Sequence, residues 1–127
     1  FGAIDKAISL SRFRMIESNL RIDVETQFIS KFHRDTNPSI LSMVWYLIFS
    51  EILTSASHHN LVTGSTSTNL NATFYEKEQV LELIVDTPFD WGDSILKSKL
   101  TNHLIELSGL SMTYENKKIT LQDWTLV

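Results

Sequence analysis

Two groups of side chains have types and spacings that could do chemistry. The first is Glu51-x-x-x-Ser55-Ala56-x-His58-His59, at the polar end of a long apolar run. A carboxylate four residues before a hydroxyl puts both on one face of a helix, and this is the motif-like spacing in the chain that suggests a function. The second is Asp86, Asp90 and Asp93 in DTPFDWGD. Carboxylates after a strand can hold Mg²⁺ or exchange protons. The same residues also suit turn and cap positions, which is the reading favoured for Asp90 and Asp93. His58 and His59 are adjacent and so diverge, and no Glu-x-x-His pattern accompanies them. No metal site is expected. His103, in a helical segment, is conceivable as a phosphoacceptor if it faces water. His33 sits in a polar connection and is expected at the surface.

The elements that must position these groups follow from periodicity. In Asn37–His59, Asn37 is a good N-cap and Pro38 suits the first turn. Almost every position from Ile40 to Leu53 is apolar, so a helix here must be covered on nearly all sides. Its uninterrupted run Met43–Phe49 is short of the roughly 20 residues that span a bilayer. A core helix is expected, and no membrane association. Asp5–Asn19 has roughly helical apolar spacing, with Arg12, Arg14 and Glu17 facing water. Arg21–Phe28 alternates as a half-buried strand. Ser55–Asn71 is rich in Ser, Thr, Asn and Gly and reads as a long loop. Ala72–Glu76 and Val80–Val85 read as a hairpin, the second strand the more interior. Asp93 or Ser94 starts a helix to Ser108, with Ile95, Leu96, Leu100, Leu104 and Leu107 as its buried stripe and Gly109 as its stop. A second hairpin closes the chain, turning at Asn116-Lys117 and carrying Ile119, Leu121 and Trp124.

This order predicts an α/β (α+β) two-layer sandwich, a mixed five-stranded sheet covered on one face by three helices. At 127 residues the chain suffices for one core. Residues 1–20 form a leading helix and 21–127 the domain proper. The chain begins with Phe1, which suggests a piece of something longer. Cysteine is absent and the net charge is −4. Disulfides and thiolate chemistry are excluded, and a mainly electrostatic nucleic-acid binder is not expected.

From Ile22 onward the succession of elements resembles the ATP-binding domain of bacterial histidine kinases and their relatives, the GHKL superfamily. There the central helix carries Glu, three residues, Asn-Ala, any residue, Lys or Arg, then His or Phe. Glu51-Ile52-Leu53-Thr54-Ser55-Ala56-Ser57-His58-His59 stands in its place. The family's Asp-x-Gly-x-Gly is matched by Asp86-Thr87-Pro88-Phe89-Asp90. The resemblance implies that Ser55 replaces the Asn that coordinates Mg²⁺ and Pro88 replaces a glycine beside the adenine. Asp86 keeps the place of the adenine-binding carboxylate. No room remains for the mobile lid. What it implies is a kept fold, a vestigial pocket of Glu51, Ser55, Asp86 and Pro88, no cofactor, and Phe89 and Trp91 folding over the pocket or meeting a partner. Ser11–Met15 and His103–Met112 resemble parts of the alphaproteobacterial histidine phosphotransferases, whose kinase-like domain also lacks nucleotide motifs. That reading implies a non-catalytic cytoplasmic signalling domain docking a response-regulator receiver domain or a histidine kinase. It also implies a homodimer through an upstream helical hairpin that carries the phosphorylated histidine. The alternative is a divergent ATP- and Mg²⁺-binding kinase domain. A third reading is a generic α/β interaction domain.

Overall fold

The computed structural model describes residues 2–32, 37–64 and 68–123. His33 and Trp124 lie outside them. The elements run α1 (Gly2–Ser18), β1 (Leu20–Phe28), α2 (Pro38–Thr63), β2 (Thr68–Glu76), β3 (Val80–Asp86), α3 (Asp93–Lys97), α4 (Lys99–Leu107), β4 (Leu110–Glu115) and β5 (Lys118–Asp123). The sheet order is β1-β2-β3-β5-β4. β1 and β2 are parallel, from Leu20↔Thr68 to Phe28↔Glu76, with α2 as their crossover. The other pairs are antiparallel. This is the expected mixed five-stranded sheet, and the more apolar strand β3 lies at its centre.

The apolar face of the sheet and the all-round apolar half of α2 make the core. Trp45, Ile48, Phe49 and Ile52 are fully buried with Phe74, Leu83, Val85, Ile119 and Leu121. Each such side chain contributes roughly 1.5–3 kcal/mol when fully buried. Trp45 meets Phe74 edge to face at 5.3 Å. Asn37 caps α2, accepting from the Ser39 and Ile40 N–H groups at 2.9 and 3.4 Å. By length and composition α2 could cross a bilayer, but half of its apolar stretch is buried against the rest of the chain. The opposite sheet face is polar: Glu82 pairs with Lys77 and with Lys118, the latter at 3.3 Å. Burial pushes the Glu82 carboxyl up, and the two ammonium groups outweigh it, holding it below its usual range. Asn116 and Lys117, both at positive φ, make the two-residue turn between β4 and β5.

Five expectations need correction. Residues 55–63 are not loop: α2 continues to Thr63 and ends at Gly64 in the left-handed conformation, φ 79°. Hydroxyls that would compete with a helix instead bond back along it, as Thr63 Oγ1 donates to the His59 carbonyl at 3.0 Å. The expected helix over 93–108 is broken at Ser98, whose extended backbone ends α3 and whose Oγ accepts the Thr101 N–H to start α4. The second helix is thereby rotated: Thr101 and Ile105 are buried, while Leu100 and Leu107 are exposed. Neither Asp93 nor Ser94 caps α3; Gly92 holds the cap position and Asp93 lies in the first turn. On α1 the buried face is Ile4, Ala7, Ser11 and Met15, and Phe13 and Ile16 stand in water. Arg14 does not face water: its Nη1 donates to Ser50 O at 3.0 Å and Oγ at 2.7 Å, and its Nη2 to Thr54 Oγ1 at 2.5 Å.

Candidate functional site

The C-terminal half of α2 and the turn after β3 enclose a cleft of about 420 Å³. Glu51, Thr54, Ser55, His58, His59 and Val62 line one wall, Phe89 and Asp90 the other. The helical wall steps by three or four residues because one face of a helix does so. Glu51 and Ser55 are thus brought together as the sequence spacing required. Thr54 and Val62 stand out by nothing in their types, and His58, His59 and Asp90 were not expected in the pocket. Continuing the three- and four-residue step from Glu51 past Ser55 would have found those on the helix.

The second wall is set by residues 87–92, which alone join β3 to α3. Thr87 is buried, and its hydroxyl donates to the Phe89 carbonyl at 2.5 Å. Lys117 Nζ donates to the Thr87 carbonyl at 2.5 Å, tying the turn to the β4–β5 hairpin. Phe89 comes against His59, ring centroids 5.2 Å apart. Trp91 does not cover the cleft: it is 2% exposed, packed edge-on to Tyr114 at 5.0 Å, as part of the core. Gly92 makes that possible, since a Cβ there would lie 2.1–2.4 Å from the Tyr114 ring. The Tyr114 hydroxyl accepts the Trp91 N–H and donates to Asp90 Oδ1, both at a long 3.5 Å. Burial raises the Tyr114 phenol above its usual range, and the Asp90 carboxylate pushes the same way.

Asp86 and Pro88 are exposed and do not line the cleft. The four residues of the expected nucleotide pocket are therefore split, Glu51 and Ser55 inside and Asp86 and Pro88 outside. His58 is exposed and His59 half-buried. His103 is exposed on α4.

The lining holds two carboxylates and no Lys or Arg, whereas a polyphosphate needs cations or converging N–H donors. Among the described residues there is no group of three or more acidic or histidine side chains able to hold a metal ion. The cleft also offers the His59–Phe89 ring pair and the Ser55 hydroxyl, while Thr54 on the same wall is already bonded to Arg14 and to the Ser50 carbonyl.

The sequence matches no protein-family profile and no curated protein significantly. Solved structures do match. The cytoplasmic segment of histidine kinase QseC superposes with a TM-score of 0.60 at 12% identity, over 95% of this chain and 72% of that one. The Acinetobacter baumannii histidine kinase AdeS gives 0.57 at 13% identity, over 95% of this chain and 62% of that one. A nucleotide-free catalytic domain of histidine kinase ThkA gives 0.53 at 10% identity, over 94% and 87%. At these identities the likeness is one of fold, and the fold of this chain is that of histidine-kinase catalytic domains.

Proposed function

We propose that this chain is the kinase-fold domain of a two-component signalling protein, and that it serves as a docking module rather than as a phosphate-donating site. One observation carries this reading. Phe89 packs on His59 across the cleft, and Asp86, the carboxylate that the resemblance gives to the adenine amino group, does not line it. The short turn 87–92 supports the reading further, because it leaves no segment to close over phosphates. The partner on this reading is a response-regulator receiver domain or a histidine kinase, in the cytoplasm. The resemblance to histidine phosphotransferases favours a phosphorylated histidine on an upstream hairpin that would also dimerise the protein.

A second reading has its own support. The fold neighbours are histidine kinases, one of them an isolated catalytic domain, and Glu51 and Ser55 do line one cleft. That favours a divergent ATP-binding domain, with Glu51 and Ser55 on the metal side. Calorimetric titration of the folded chain with ADP and a non-hydrolysable ATP analogue, with and without Mg²⁺, separates the two. The docking reading expects no heat at millimolar nucleotide. Micromolar, Mg²⁺-dependent binding that is lost in Glu51→Gln would establish the second reading instead.

A further inference from the structure

We propose that β1 is a pairing edge for a second copy of this chain, joined antiparallel about a two-fold axis at Ile22. β1 is nine residues long and pairs with β2 along all of them. It ends the strand order, so its other edge has no strand beside it among the described residues. An edge of this kind is a template for another chain unless something guards it. β1 contains no Pro, no Lys, and no charge on its inward face, which carries Leu20, Ile22, Val24, Thr26 and Phe28; its charges, Arg21, Asp23 and Glu25, all lie on the outward face. The other edge strand, β4, has six residues, and the Asp90–Gly92 turn lies against its Tyr114.

The space beside β1 also suits an incoming strand. α1 and β1 leave a groove of about 650 Å³, lined by Asp5, Arg12 and Ile16 from the helix and Arg21, Asp23 and Val24 from the strand. Ile16 is 76% exposed at this groove. An apolar residue there gains by being covered.

The occupant and the register follow from charge. In an antiparallel pair, residues directly opposite share a face and like charges there are unfavourable. A two-fold at Val24 would set Asp23 against Glu25, and one at Asp23 would set that residue against itself. A two-fold at Ile22 sets Arg21 of each copy against Asp23 of the other. On the inward face it sets Ile22 against Ile22 and Leu20 against Val24. Within one chain Arg21 Nε already holds Asp23 Oδ1 at 2.8 Å, so pairing would close a ring of four alternating charges. Of these three two-folds only the one at Ile22 makes the edge complementary to itself, and strand then faces strand over Leu20–Val24, since residues up to Ser18 belong to α1.

Sedimentation equilibrium of the 127-residue chain over a range of concentrations tests this, together with amide exchange across β1. The expected result is a reversible dimer whose β1 amides become protected as it forms. Arg21→Asp faces Asp23 with a like charge and should weaken the dimer about tenfold, with unchanged circular dichroism because the residue is exposed. Arg21→Asp with Asp23→Arg restores the crossed pairs and should restore the dimer. A folded chain that stays monomeric at several hundred micromolar overturns the proposal and leaves the edge to a different partner. A dimer whose mass ignores Arg21→Asp, or whose β1 amides exchange freely, overturns it too, because the interface would then lie elsewhere.

Discussion

The two halves of α2 are one continuous helix under opposite constraints. From Leu41 to Leu53 it is enclosed except at Met43, with Val44, Trp45, Ile48, Phe49 and Ile52 without measurable exposure. From Thr54 to Thr63 only Ala56 is buried, while Leu61 and Val62 stand in water. The first half is held by burial. The second is held by its continuity with the first, by hydroxyls bonded back to their own helix, by Phe89 on His59, and by the Gly64 cap. Apart from Glu51, the helical side chains that line the cleft sit on the weakly held half, and the stability sits on the other. Substitution at the cleft can therefore vary widely without unfolding the domain, and this is the physical condition under which a nucleotide site can diverge while the fold persists.

The comparison is broken most directly in the enclosed half. Phe49→Ala removes a fully buried ring from a site walled by other large side chains and should cost about 3–5 kcal/mol. Urea denaturation read by tryptophan fluorescence measures it. A loss below about 1 kcal/mol would mean that the core collapses around the gap and that α2 is less enclosed than its burial implies. The next largest effect belongs to the wall facing the cleft. Gly92→Ala drives a methyl into the Tyr114 ring and should cost about 1–3 kcal/mol, as overpacking does. The penalty should shrink in a Tyr114→Ala background, because the two residues share one space. If it does not, the turn is held by something other than Tyr114.

The same contrast explains what could be read from the residues. The enclosed half was legible because apolar residues on every side leave a helix no position but the core, and Asn37-Pro38 marks its start. β1 was legible from Ile22 and Val24 alternating with Arg21 and Asp23, and the β4–β5 turn from Asn116-Lys117. The cleft half read as loop because Ser, Thr and Asn favour turns by bonding to local backbone. Nothing in their types says that here they bond to the helix itself. The break at Ser98 was hidden for a related reason: a serine inside an apolar-periodic run fits a helix surface and a helix start equally. Trp91 read as folding over the pocket or meeting a partner because its burial depends on Gly92 admitting a ring from Tyr114, a contact distant in sequence. Arg14 read as solvated because its acceptors, Ser50 and Thr54, lie on another element. Glu51 and Ser55 were found by spacing. Asp86 was not brought into the cleft, because the place of a carboxylate after a strand says nothing of how the following turn folds.

The finest test of the weakly held half lies at its end. Gly64 sits at φ 79° with open space around the position a Cβ would take, and its N–H donates to the Asn60 carbonyl at 2.8 Å. Gly64→Ala therefore adds no clash and leaves only the left-handed strain of an L-residue, about 1 kcal/mol. Gly64→Asn should cost less, since a short polar side chain tolerates that conformation. Amide exchange gives the local reading: protection over His59–Thr63 should fall in Gly64→Ala while that of Ile48–Ile52 stays unchanged. Equal loss in both stretches would mean that α2 opens as one unit, and the cleft could not then diverge independently of the core. No change in either would mean that the cap contributes nothing and that His59 on Phe89 alone holds the helix end against the turn.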